Sequence, residues 1–147
     1  MKEVYNTHIG AYGILIKDNS IALISKARGG YLGKLDLPGG GIKHYETSEE
    51  ALCREVMEEA ELKVVNYQLL DVVTYNLTWQ MTKDTIEHLH HFGILYTIQT
   101  TGNLKKDPDG IDSNGSNWYK IDELYEDEVT PFVLYSLKKL GYKLHKK

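Results

Sequence analysis

The stretch LPGGGIKHYETSEEALCREVMEEAEL, residues 37–62, holds the most information about the architecture. Its opening, Pro38 followed by Gly39, Gly40 and Gly41, argues against helix and lets the backbone come close to a ligand. Thr47 and Glu50 then carry the spacing of a capping box, in which each side chain satisfies an otherwise unpaired amide of a helix start. A helix over about residues 47–60 follows, with Leu52, Cys53, Val56, Met57 and Ala60 as the apolar stripe facing a core. Glu55, Glu58 and Glu59 stand at i, i+3 and i+4 and share an arc on the other side.

That arc concentrates the charge of the chain. Seven glutamates lie between Glu46 and Glu61 against one cation, Arg54, whereas the whole chain has a net charge of only −4. Like charges at helical spacing repel by a few tenths of a kcal/mol per pair, roughly, so the pattern invites a hard divalent cation such as Mg²⁺. The modest total charge gives no reason to expect binding along a nucleic-acid backbone. Cys53 is the only cysteine among 147 residues, which excludes an internal disulfide or a Cys-rich zinc site and points to a reducing, cytoplasmic setting. The N-terminal stretch has no apolar run long enough for secretion or membrane spanning.

Outward from residues 37–62, Gly10–Ile16 and Ile21–Ser25 read as a hairpin around the polar turn Lys17–Ser20, and residues 27–41 as a long glycine-rich loop. Leu69–Thr78 and Leu89–Ile98 are β-branched and aromatic enough for two longer strands flanking the polar stretch Gln80–Glu87. Leu104–Asn117 reads as a loop, followed by a short strand or turn at residues 118–121. A last helix spans Thr130–Leu140, with Thr130 as N-cap, Pro131 in the first turn and Gly141 at the stop. The order predicts one α/β domain over 1–147, an α/β/α sandwich with a mixed sheet.

Counting from Gly40 gives five residues to Glu46, seven more, then Arg54-Glu55-Val56-Met57-Glu58-Glu59-Ala60-Glu61-Leu62. This resembles the Nudix hydrolase box, with Leu37-Pro38-Gly39-Gly40 as its usual lead-in and one departure, Glu61 in place of the closing glycine. The resemblance implies a Nudix fold and Mg²⁺-dependent hydrolysis, with Mn²⁺ as a substitute. It makes Glu55, Glu58 and Glu59 the catalytic metal ligands and the Gly39 carbonyl a further one. Arg54 and Glu46 become an ion pair bracing loop against helix. A distant acid would join them, with Asp112 chosen ahead of Asp109 and Asp107; aspartates that only make turns are the equal alternative.

Lys26 and Arg28, entering the glycine loop, could hold substrate phosphates beside Gly40, or be plain surface cations. His44, His90 and His91 read as ordinary strand and loop residues, and Tyr31, Tyr75, Trp79 and Phe92 as candidates to flank a cleft. The expected reaction is cleavage of a phosphoanhydride in a nucleoside diphosphate linked to another moiety, with a nucleoside triphosphate favoured as substrate. A dinucleoside polyphosphate, a capped or triphosphorylated RNA end, and a catalytically silent nucleotide sensor are the alternatives. The expected partner is a small nucleotide, with no membrane, and the chain a monomer or homodimer.

Overall fold

A computed structural model describes residues 1–104 and 113–146. The elements in order are strands β1 (Lys2–Ile14), β2 (Ile16–Lys17), β3 (Ser20–Lys26), β4 (Leu35–Asp36) and β5 (Gly39–Gly41), helix α1 (Ser48–Ala60), strands β6 (Lys63–Thr82), β7 (Thr85–Thr101) and β8 (Ser113–Lys120), and helix α2 (Pro131–Lys139). They form two four-stranded sheets. One has the order β5-β1-β7-β6 and is mixed, because β1 runs parallel to β7 while its other pairings are antiparallel. The second joins β2, β3 and β4 in order, with β8 also paired to β3. The expected mixed sheet is the first of these, and the α/β character stands.

The two helices cover separate cores. Ala51, Leu52, Val56 and Ala60 of α1 pack with Ala11, Leu15, Ala22 and Ile98, whereas Phe132, Val133 and Leu137 of α2 pack with Tyr12, Ile14, Leu23 and Leu95. Neighbouring residues of one strand, Ala11 and Tyr12 or Ala22 and Leu23, thus serve opposite cores, as the two-residue period of a strand requires. Phe132 is buried against the rings of Tyr12 and Tyr75, with centroids 5.3 and 5.7 Å away. Among the described residues no helix is long and apolar enough to cross a membrane.

Several boundaries differ from the expectation, each for a physical reason. β1 starts at Lys2, not near Gly10, since residues 2–9 lie along β7 in parallel register while mostly exposed, which erases their apolar pattern. β6 and β7 extend until only Lys83 and Asp84 connect them, so most of the polar stretch Gln80–Glu87 is strand. Ser113–Asn117, expected as loop, belongs to β8, where backbone pairing with β3 substitutes for side-chain propensity. The glycine loop contains β4 and β5. Met57 is 44% exposed, because it lies outside the arc of Ala51, Leu52, Val56 and Ala60. Asp18 and Asn19 both take positive φ, closing the two-residue hairpin between β2 and β3.

Candidate active site

Thr47 and Glu50 form the capping box at the start of α1: Thr47 Oγ1 accepts from the Glu50 amide and Glu50 Oε1 accepts from the Thr47 amide. With its start fixed, the helix presents Arg54, Glu55, Glu58 and Glu59 toward the glycine strand β5. That strand pairs with β1, Gly39 opposite Tyr12 and Gly40 opposite Ala11. A Cβ at Gly40 would lie 2.6 Å from Glu55 Oε2, and one at Gly39 2.2 Å from the Ala11 carbonyl oxygen. Both contacts are closer than real Cβ atoms tolerate, so glycine here makes room for a carboxylate on one side and for sheet backbone on the other.

Arg54 ties this region together. Its Nε and Nη2 donate to both oxygens of Glu46 at 2.6 and 2.9 Å, Nη2 also donates to the Gly41 carbonyl at 3.0 Å, and Nη1 donates to Glu55 at 2.7 Å and Glu58 at 3.3 Å. One guanidinium thus connects the loop before α1, strand β5 and two carboxylates, a task suited to its planar fork of donors. The same bonds, with the Lys43 amide assisting, hold the Glu46 carboxyl down at about 2.

Glu59 takes the Gly39 amide on Oε1 at 2.8 Å. Burial pushes its carboxyl up to about 8, opposed by the Gly39 amide and the charge of Lys26 and reinforced by Glu55 and Asp36. Glu55 and Glu59 line a cleft of about 630 Å³, together with Gly39, Gly40, Lys26 and Arg28. Glu58 stays outside that lining, its side chain 55% exposed. Among the described residues no three acidic, histidine or cysteine side chains converge as a ready-made ion site. Arg54 draws Glu55 and Glu58, and Gly39 engages Glu59 through its amide. The donors nevertheless fit a hard cation: a buried carboxylate with a strongly raised pKa beside a second one, at a backbone kept open by glycine. Asp107, Asp109 and Asp112 lie outside the described residues.

The cleft also gathers residues that the sequence did not single out. Its floor is one face of the mixed sheet, where His8 of β1 lies in register with His91 of β7, and His91 with Tyr75 of β6. His91, expected as an ordinary strand residue, is 6% exposed and lines the cleft, while His44 and His90 are exposed. Tyr12 Oη and His91 Nε2 are hydrogen-bonded at 2.8 Å, and burial lowers His91 to about 3, so the imidazole is neutral. Asp36, between Leu35 and Leu37, is 4% exposed. Its Oδ1 accepts from Thr130 Oγ1 at 2.6 Å and the Leu37 amide at 2.8 Å, and burial raises its pKa. Thr130, expected to cap α2 with its side chain, spends its hydroxyl on Asp36 instead. Of the four aromatics named from sequence, Tyr31 and Trp79 line the cleft, whereas Tyr75 packs against Phe132 and Phe92 against His90. No local signal marks His8 or His91, since their meeting depends on β1 pairing with a strand some eighty residues away, nor Asp36, whose partner Thr130 lies 94 residues along the chain.

Comparison with known proteins agrees with this architecture. The chain is 30% identical over 112 residues to the ADP-ribose pyrophosphatase of Methanocaldococcus jannaschii, covering 76% of this chain and 61% of that protein. It is 32% identical to the 8-oxo-dGTP diphosphatase of Proteus vulgaris, over 52% of this chain and 69% of that one. The chain spans only 27% and 61% of the length of two of the curated relatives it matches. The crystal structure of a MutT NUDIX hydrolase from Burkholderia pseudomallei superposes with a TM-score of 0.72 at 24% identity, covering 92% of this chain and 99% of that one, and so shares the fold. The family model described as the NUDIX domain matches residues 6–140, and the chain therefore belongs to the NUDIX domain family.

Proposed function

We propose that this chain hydrolyses a pyrophosphate bond in a nucleoside diphosphate linked to another moiety, with a nucleoside triphosphate, split into monophosphate and pyrophosphate, as the favoured substrate. The observation that carries the reading is the meeting of Glu55, Glu59, Lys26 and the glycine strand in one cleft. Glu55 and Glu59 are the groups that would hold a divalent cation, Mg²⁺ with Mn²⁺ as substitute, with Glu58 at the outer side and the Gly39 carbonyl as a further donor. Such an ion, when bound, offsets phosphate charge and supplies an activated water.

The chain's own residues do the rest. Arg54 and Glu46 keep the loop, β5 and Glu55 in one arrangement. The Gly39 amide fixes one oxygen of Glu59 and leaves the other to face the ligand. Lys26 and Arg28 bind phosphate oxygens, which lets the acidic cleft accept an anionic substrate. The names of the two relatives differ in substrate and agree on a pyrophosphate or diphosphate, which supports the reaction class and leaves the nucleotide open. A dinucleoside polyphosphate or a capped RNA end is the second reading, favoured by the aromatic side chains Tyr31 and Trp79 in the same cleft. Presence of all three glutamates and Arg54 argues against a catalytically silent sensor.

The test is a panel of nucleoside triphosphates, ADP-ribose, dinucleoside polyphosphates and capped RNA, incubated with Mg²⁺ and resolved by chromatography. Release of pyrophosphate from a triphosphate, abolished by excess EDTA, is the expected result. Absence of turnover across the panel, or turnover undiminished by EDTA, would overturn the proposal.

A further inference from the structure

The cleft is chemically divided. Glu55, Glu59 and Lys26 line it beside the glycine strand, and Trp79, Glu87 and Leu89 line it on the sheet floor. Trp79 of β6 stands in register with Glu87 of β7, and its Nε1 donates to Glu87 Oε1 at 2.7 Å. The second carboxylate oxygen of Glu87 accepts from Asn6 Nδ2 at 2.6 Å. Three neighbouring strands thus each contribute one residue to a relay that ends on the indole. An indole whose N–H is already committed offers a ligand its ring surface and not its donor.

The wall opposite is brought close at Gly30. A Cβ there would lie 2.3 Å from Leu77 Cδ2 and 3.2 Å from Trp79 Cδ1, so the loop between β3 and β4 packs closely over the leucine and the indole. Tyr31, the next residue, lines the same cleft. Along β1 the Trp79 and glycine-strand ends are separated by five residue steps, from Asn6 to Ala11, which faces Gly40, or about 17 Å of strand. A ligand that occupies both ends must be elongated, with an aromatic ring system at one end and a chain of negative charge at the other.

We propose that the Trp79 end of this cleft is a nucleobase subsite, with the indole as stacking surface and Glu87, held by Asn6, as the residue that positions it. The inference rests on the nucleotide reading above and assigns which part of the molecule each end of the cleft receives. Glu87 is a positioning residue: both its oxygens are engaged, so it acts through the indole and not on the reacting phosphates.

The chain has two tryptophans, Trp79 and Trp118, so Trp118→Phe leaves Trp79 emission as a direct report. That variant is titrated with non-hydrolysable α,β-methylene triphosphates of adenosine, guanosine and uridine, and with inorganic tripolyphosphate, at fixed Mg²⁺. Saturable quenching by at least one nucleotide and none by tripolyphosphate is expected. By calorimetry in the otherwise unchanged chain, Trp79→Ala should weaken nucleotide binding about tenfold or more, the usual size of a base–aromatic stack, and leave tripolyphosphate binding within about twofold. Glu87→Ala should do the same and also shift the emission maximum of unliganded Trp79, which a remote structural role would not do selectively. The calorimetric arm stands even if Trp118→Phe does not fold. Nucleotide binding without a Trp79 response, equal losses for nucleotide and tripolyphosphate, or no nucleotide binding at all would overturn the subsite. Quenching without hydrolysis of any panel member would leave the subsite standing and remove the hydrolase reading; hydrolysis without quenching would do the reverse.

Discussion

Replacing Glu61 with glycine should stabilise the protein, because Glu61 ends α1 in a conformation that suits glycine. Its φ is 55° and its ψ 31°, and its amide still donates to the Met57 carbonyl at 3.0 Å. A left-handed backbone costs a residue with a Cβ about 1–2 kcal/mol. Glycine removes that strain but adds freedom to the unfolded chain, which takes back about 0.5–1 kcal/mol. A carboxylate just beyond a helix C-terminus also faces the negative end of the helix dipole, a repulsion of about 0.3–1 kcal/mol at low salt. The balance is about 1 kcal/mol of added stability, a rise in Tm of about 2–4 °C for a chain of this size. Glu61→Ala separates the contributions, since it removes the charge and keeps the Cβ. Thermal melts in low and high salt should therefore show Glu61→Gly above Glu61→Ala at both, with the gain of the alanine variant fading as salt screens the dipole. Equal melting temperatures for the two variants, or a glycine variant no more stable than the parent, would refute the strain argument. Glu61 is exposed and outside the cleft lining, so turnover should be unchanged; a large loss would refute its placement away from the chemistry.

Gly40→Ala should lower turnover at least tenfold with little effect on Tm, because its Cβ meets the movable carboxylate of Glu55 and not backbone; full activity in a steady-state assay would show that Glu55 has room to spare. Glu59→Gln should reduce kcat by orders of magnitude while the Tm of the metal-free protein matches the parent's below pH 4.5 and gains on it as pH rises through about 8, where the parent carboxyl must ionise in its buried place, and near-normal kcat at saturating Mg²⁺ would remove Glu59 as a metal ligand. Arg54→Ala should reduce both kcat and Tm, by about 2 kcal/mol of stability, intermediate between exposed and buried pairs, as its side chain is 20% exposed with five donated bonds. An unchanged melting curve for Arg54→Ala would show the network to be structurally idle.

The residues that could be named from sequence are those whose partners are local or whose pattern is periodic. The capping box at Thr47 and Glu50 spans a single turn, and the acidic arc of α1 follows from the helical period alone, so both could be read before any tertiary contact was known. The departure at Glu61 was legible too, and the structure shows that this residue ends α1 in a left-handed conformation. Met57 was misplaced because a five-residue stripe is wider than the arc that the core accepts. The cleft, by contrast, exists only once distant strands have paired. Asn6, His8, Tyr12, Asp36, Glu87 and His91 carry no local signature, and they meet because β1 lies parallel to β7 and the β3–β4 loop folds over that face. Parallel pairing between distant segments depends on backbone hydrogen bonds that every residue type can make. Its register, and with it the identity of the residues facing the ligand, is settled by packing of the whole domain and not by any one stretch of chain.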